Sequence, residues 1–564
     1  MNLNATIDTE THLQREVASG MPSGEAARPA NFVDRWLHAH LNVVAIAIVS
    51  AGLVARIVLA RKTFFNPDEV LHYLMINEPS LRLAYKASLT NAHPPLIYLL
   101  LYICHLLGRS EFILRLPLVL AGTAFCWFAF KWVQALFGEA ASLIALIVVA
   151  FSPTLIALSA EVREYALLLF CVTAALYFLE RAFDQKSVRA MWLFSSFLYL
   201  AILSHYSAAF FALTAGIYAL ARIADYRWPR KLTIAWIVGQ VGGVGIYLLL
   251  YLTHISKIRN NLAVWSTSFG DTLYQFDQES IFHFTRANTW NIFQYIFAQR
   301  YVAEAMLIGF VLCAGFLLLR DFRSSAATRV PRHAGVLLLL PFAAIWAAAI
   351  RGIYPYVGSR HTIILAPFAI AAASFLFAAI CRQKLWAGVL VGTLLVGISS
   401  LYGQCPEPGI TQANQRRELM IGAVNDLRQS ARQGDVILAD MESAIPLTYY
   451  YCNTEEGFFF TWSRTNFGPF NCNGHLIAPL FFWYLRPEGL AGAFEKTVHS
   501  NGLKPGDRVW IFQAGWGGDL MAKLPQSLPQ FRCVVPMTFG ENITVVPVTV
   551  APDLSPAPLA KCPD

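Results

Sequence analysis

Four short strings in this chain set acids, histidines and arginines among aromatic residues and prolines. The first, Arg61-Lys62-Thr63-Phe64-Phe65-Asn66-Pro67-Asp68-Glu69-Val70-Leu71-His72-Tyr73, carries two adjacent carboxylates. Near a membrane surface such a pair must bind a cation, accept a substrate proton or stay solvated, because an uncompensated buried charge is costly. A solvated loop is the bland alternative; the aromatic and proline neighbours favour a shaped, partly desolvated pocket. The second string, Asn91-Ala92-His93-Pro94-Pro95-Leu96-Ile97-Tyr98, fixes the chain direction at His93 through its prolines. A single histidine is more often a packing residue than a ligand. The third is Ser159-Ala160-Glu161-Val162-Arg163-Glu164-Tyr165. If it is helical, Glu161 and Tyr165 share a face that can hold a metal or a sugar hydroxyl, while Arg163 points elsewhere. The competing reading is a pair of helix-end charges that anchor a junction. The fourth, Arg351 to His361, offers Arg351, Arg360 and His361 as a grip for a phosphate or diphosphate. Arginines that merely snorkel to lipid headgroups are its rival. His205-Tyr206 is a weaker fifth candidate.

Residues so far apart do chemistry together only if the fold delivers them to one side of one barrier. The chain has 564 residues, 56% hydrophobic and 14% charged, with a mean hydropathy of +0.48. That composition belongs in a bilayer. Apolar segments near 41–60, 114–136, 140–158, 165–182, 190–204, 206–222, 232–254, 301–320, 334–350, 361–381 and 385–402 predict about eleven transmembrane helices. No cleavable signal is visible, so the first span doubles as the targeting signal after a cytoplasmic tail, 1–38. The segment 94–108 opens with two prolines and is too short to cross comfortably, so it is expected to lie along the interface. The short loops 181–189, 222–231, 320–332 and 382–384 are then crowded with Lys and Arg and face the cytoplasm. On the other face 159–164, 204–206 and 351–360 carry only Arg163, Arg351 and Arg360. The basic balance, +8, sits mainly at span ends and needs no nucleic acid.

This reading gives a membrane catalytic domain over 39–403, with outer loops 61–113, 255–300 and 351–360, and a soluble α/β domain over 404–564. In the latter, 414–431 has helical character, Asp435–Asp440 reads as a strand, a second helix follows from Ser443, and Asp507–Gln513 and Ile543–Val550 are β-branched runs. Cys104, Cys126, Cys171, Cys313 and Cys381 fall in or beside apolar segments and read as packing residues. Cys405, Cys452, Cys472, Cys533 and Cys562 lie in the polar tail, which fits an oxidising compartment and one or two disulfides.

The strings Asp68-Glu69, His93-Pro94-Pro95-Leu96-Ile97-Tyr98, Gly108-Arg109-Ser110-Glu111 with Leu114-Arg115-Leu116-Pro117, and Glu161-Val162-Arg163-Glu164-Tyr165-Ala166-Leu167 occur in an order and spacing that resembles the dolichyl-phosphate-mannose-protein-mannosyltransferase-like family of bacterial integral membrane glycosyltransferases. The resemblance covers roughly residues 40–220 well and the terminal domain hardly at all. It implies a GT-C fold and inverting transfer of a hexosyl or pentosyl group from a polyprenyl-phosphate donor. It also implies an acidic pair in the first outer loop, followed by an amphipathic helix resting on the membrane. Carried over, Asp68 is the general base or a metal-associated carboxylate and Glu69 its partner, with His93, Glu161, Arg163 and Tyr165 lining the pocket. A divalent cation at Asp68 and Glu161 is one implied option. Arg351, Arg360 and His361 are then candidates to stabilise the departing lipid phosphate.

The expected partners are the lipid-linked donor, a lipid, glycan or protein acceptor, and membrane lipids. The expected place is a bacterial inner membrane, with the site and the terminal domain outside. The terminal domain is expected to cap the outer cavity and influence the acceptor. The competing class is a transporter or flippase of lipid-linked saccharides, which would place ionisable groups near mid-membrane, often within inverted repeats. The marked charges instead sit at span ends, and no repeat is apparent.

Overall fold

The structure, a computed structural model, describes residues 31–225, 228–256, 272–323, 330–402, 416–481, 487–514, 520–528, 536–540 and 542–550. Every apolar segment named above forms a helix, the arrangement that pairs backbone groups within a segment where lipid offers no partner. Among the described residues seven helices are long and apolar enough to cross a membrane, from Leu41–Lys62 to Arg360–Ile380. A bent pair, Glu139–Phe151 and Pro153–Ser159, makes an eighth, and Val188–Ser204, Ala334–Ile350 and Leu385–Leu401 are shorter apolar helices. Apolar side chains point outward as well as inward. Val241, Val244 and Leu252 are more than half exposed on the helix that begins at Arg230, as a lipid-facing surface requires.

The bent pair shows how the fold aims a loop. Pro153 has no N–H to give to Val149, so the helix breaks there by 59°. Arg56, fully buried on Leu41–Lys62, takes over the stranded carbonyls, donating to Val149 O at 3.1 Å and Ala150 O at 2.9 Å. Past the break the chain runs to Ser159 and then into a non-helical turn over 160–164. Glu161 and Tyr165 therefore do not share a helix face, and the conditional helical reading of this string fails.

Helix Leu96–His105 has 10 residues and so rises about 15 Å, half of what a hydrocarbon core demands. It buries Ile97, Tyr98 and Leu101 against Tyr73 and Leu74 and leaves Ile103, Leu106 and Leu107 exposed, as a helix lying in the interface would.

The polar tail folds around a six-stranded mixed sheet of order β2-β3-β1-β4-β6-β5. Its strands are β1 Val436–Asp440, β2 Phe470–Cys472, β3 His475–Leu480, β4 Arg508–Ala514, β5 Met537–Phe539 and β6 Ile543–Thr549. Central β1 runs parallel to both neighbours, Val436 opposite Leu476 of β3 and Val509 of β4. A disulfide joins Cys452 to Cys472, and the five cysteines in or beside the apolar segments are thiols. Cys405, Cys533 and Cys562 lie outside the described residues. The bridge closes a loop of sequence separation 20. Replacing both cysteines by serine is expected to cost about 3 kcal/mol, read as a lower midpoint for thermal unfolding of the full chain in detergent.

The sheet domain is seated on the membrane domain by side chains from both. Phe459, Trp462 and Ile445 share a core with Tyr73, Leu74, Ile97 and Leu101. Phe65 N donates to Tyr450 Oη at 2.7 Å, Gly457 N to Asn77 O at 3.0 Å, and Arg109 pairs with Glu456 at 2.6 Å. Tyr450 and Arg417 both donate to the Glu111 carboxylate.

Candidate active site

Asp68 and Glu69 open the helix Pro67–Ile76, and the fold gives the two neighbours opposite duties. Asn66 caps the helix, accepting from Glu69 N at 3.0 Å, while the Glu69 carboxylate reaches back to Asn66 N at 3.0 Å. Pro67 occupies the first turn, where its missing N–H costs nothing. Glu69 is buried and also receives both arms of Arg115, at 2.7 and 2.6 Å, and Val162 N at 2.8 Å. Arg115 donates onward to Ala60, Thr63 and Phe64 carbonyls. The Glu69 oxygens thus hold the first outer loop against the 160–164 turn.

Asp68 points the other way and stays a quarter exposed. Arg163 approaches its Oδ2 at 3.0 Å and Arg360 approaches the same atom at 2.9 Å. Burial alone would raise the Asp68 carboxyl, but the two guanidiniums outweigh it and hold it below the usual range. A carboxylate so stabilised is a weak proton acceptor and a strong anchor for two cations.

Behind this cluster lies Glu164, fully buried, with His93 Nδ1 at 3.0 Å and His72 Nε2 and His205 Nε2 each at 3.9 Å. Burial raises its carboxyl, and His93, Arg163 and His205 more than reverse that, holding it well below the usual range. Burial and Arg163 push His72 down to about 4, and burial pushes His205 down to about 4, so both rings are neutral at pH 7. The rings form a continuous wall: Tyr98 on His72 at 5.2 Å, His72 by His93 at 5.7 Å, His93 by His205 at 6.2 Å, and Tyr165 between His205 at 5.5 Å and His361 at 6.5 Å.

His72, His93 and Glu164 bring ligand atoms within 4.8 Å of one another. His72 Nε2 and Glu164 Oε2 are buried without a hydrogen bond, and imidazoles with a carboxylate are ligand types that suit a divalent cation. Among the described residues this is the group of three whose ligand atoms lie close enough together to hold a metal ion, and the pair Asp68 and Glu161 expected from sequence is not part of it. Asp68 is instead taken by its arginines.

Of the residues marked in the sequence, Asp68, His93, Arg163, Tyr165, His205, Arg360 and His361 meet here, drawn from five segments of chain. Glu161 is buried in the turn beside them. Arg351 is exposed at the end of Ala334–Ile350 and is not brought to the cluster. Sequence reasoning passed over Glu164 and His72, although both stand inside the quoted strings. His72 follows Asp68 by one helical turn and touches its carbonyl at 2.7 Å, a relation readable from the Pro67 helix start.

A bundle of apolar helices, a wall of charged residues at one end of it and a sheet domain seated over that end define a polytopic α-helical membrane protein of the GT-C fold. In fold the chain is similar to ArnT from Cupriavidus metallidurans bound to undecaprenyl phosphate, with a TM-score of 0.50, 13% identity, and coverage of 89% of this chain and 97% of that one. It is also similar to the Archaeoglobus fulgidus oligosaccharyltransferase in complex with Zn and sulfate, at a TM-score of 0.44, 11% identity, and coverage of 88% and 72%. No curated protein sequence matches the chain. The family model described as dolichyl-phosphate-mannose-protein mannosyltransferase matches residues 92–255. That stretch starts one residue before His93 and closes just after His254, whose Nε2 donates to Asn91 O at 2.7 Å.

Proposed function

We propose that this chain moves a sugar, with inversion, from a polyprenyl-phosphate donor to an acceptor at the outer face of a bacterial inner membrane. The observation that carries this reading is the convergence of Arg163 and Arg360 on one oxygen of a partly exposed carboxylate. Two guanidiniums held by a single Asp keep net positive charge, and their forked donors suit a phosphate. The departing lipid phosphate gains charge in the transition state, and fixed cations in a poorly hydrated site stabilise it there more than in the ground state. Asp68 keeps the pair aligned before the phosphate arrives. A divalent cation held by His72, His93 and Glu164 would supply further positive charge beside the phosphate.

A groove between membrane helices supports a lipid substrate. It has a volume of about 440 Å³ and is lined by Leu198, Ile202, Leu213, Trp236, Val244 and Tyr247 among others. Ile202 stands three residues before His205, and the groove is almost wholly apolar, which suits a polyprenyl tail. The likeness in fold to ArnT bound to undecaprenyl phosphate points the same way. The soluble domain and the charged loops then lie in the periplasm, where a disulfide persists.

Purified chain in nanodiscs, offered a panel of radiolabelled undecaprenyl-phosphate sugars together with envelope extract, is expected to release undecaprenyl phosphate and pass the label to a product. An Asp68→Asn protein is expected to lose that transfer at normal abundance. Counterflow of label across sealed vesicles, with no covalent product from any donor, would overturn the reading in favour of a transporter.

A further inference from the structure

We propose that a divalent cation of the calcium class binds at the seam between the two domains, held by oxygens of Asn77, Glu78 and Thr454 with Glu456 beside them. It fastens the sheet domain to the far end of the helix that carries Asp68. Its binding can be read without any sugar donor, so it stands or falls independently of the transferase reading.

Four buried side-chain oxygens at this seam have no hydrogen bond. Glu78 is 3% exposed, and both of its carboxylate oxygens are among them. Asn77, 1% exposed, donates from Nδ2 to Thr454 O at 3.2 Å and to Glu455 O at 3.3 Å. Those two carbonyls fix which way the amide faces, because only its NH₂ can donate to them, so Oδ1 is an acceptor with no donor. Thr454, 7% exposed, supplies the fourth oxygen, Oγ1. Backbone contacts bring the two segments together. Gly457 N donates to Asn77 O at 3.0 Å, and a methyl group on Gly457 would lie 3.9 Å from Glu78 Oε2. Native proteins rarely orphan one buried acceptor, and four beside one another call for a ligand that oxygens attract.

The charges here ask for a cation as well. A buried carboxylate is costly unless paired, yet the charge that acts on Glu78 is a second carboxylate, Glu456; burial and that neighbour push the Glu78 carboxyl up to about 7. Two cations of the seam are engaged elsewhere: Arg109 pairs with Glu456 at 2.6 Å, and Lys86 stands over the Phe460 ring at 5.8 Å. Asn77 is also the C-cap of Pro67–Ile76, the end of a helix where the dipole favours positive charge. Carboxylate, amide and hydroxyl oxygens, with no nitrogen or sulfur among them, select a hard cation. A mixed set drawn from two chain segments suits the adaptable shell of Ca²⁺ better than the strict octahedron of Mg²⁺, with water filling the remaining positions. The helix has 10 residues and rises about 15 Å, so the ion anchors the end opposite Asp68.

The test uses the full chain in detergent, stripped with EDTA. Equilibrium dialysis against radioactive calcium is expected to find a bound ion, and calcium at about 100 times its dissociation constant should raise the midpoint of thermal unfolding by about 5 °C. Magnesium at the same concentration should raise it less. Glu78→Gln is expected to lose both the ion and the shift, while melting without calcium at least as high as the native chain, since a buried charge is removed. Glu164→Gln, which alters the histidine cluster instead, should keep both. Failure of the native chain to bind at millimolar calcium, or retention of ion and shift in Glu78→Gln, would overturn the proposal. So would a native midpoint that ignores calcium and rises only as pH falls through about 7, which would give the seam to a proton on Glu78.

Discussion

An Arg163→Gln chain is expected to transfer sugar about 10²- to 10³-fold more slowly than the native chain, the usual consequence of removing one preorganised donor from a transition-state charge. Arg163 is only 4% exposed and leans on the Tyr165 ring at 5.7 Å, so it is fixed before substrate arrives. Arg360 is 21% exposed and enters from the segment before a late span. Its replacement by Gln is expected to cost less, because water can partly stand in for it. Lysine at 163 is not expected to restore the rate, since a point charge cannot offer Asp68 and a phosphate a planar fork at once. Radiolabel transferred per folded molecule reads all three variants. Rates within a few-fold of the native chain for Arg163→Gln would remove the phosphate cradle from the mechanism.

The largest loss of stability is expected at a residue that touches no substrate. Arg115→Met strands a buried Glu69 carboxylate and three backbone carbonyls, Ala60, Thr63 and Phe64. Breaking a buried ion pair from one side typically costs about 3 to 5 kcal/mol, mostly for the charge left behind. The Arg115→Met chain should therefore unfold at markedly lower temperature in detergent. Its remaining folded fraction should also lose transfer, because Glu69 no longer ties the first outer loop to Val162 N and Asp68 drifts from Arg163. A native melting profile would show that Glu69 tolerates burial alone.

The sequence was readable where chemistry and topology coincide. The short Pro94-Pro95 segment was expected on the interface from its length and its two prolines, and it forms a helix of 10 residues. That placement put Asp68, Arg163 and Arg360 in one compartment, and the structure brings them into contact. Asp68 and Glu69 could not be told apart as carboxylates, yet their duties were partly written: Asn66, Pro67 and Glu69 spell a helix start in which the third helical residue folds back on the cap. The turn over 160–164 was misjudged because the helix broken at Pro153 ends at Ser159 and the next begins at Tyr165, which frees Glu164 to face the histidines. Arg351 and Arg360 looked alike in a string of aromatics; only the turn between them decides that one faces outward and the other meets Asp68.

The most direct test of the central claim is a density map of the full chain with undecaprenyl phosphate bound. The phosphate is expected within hydrogen-bond distance of both the Arg163 and Arg360 guanidiniums, with the prenyl chain entering the groove beside Ile202 and Val244. A phosphate seated elsewhere, with both arginines still closed on Asp68, would contradict it.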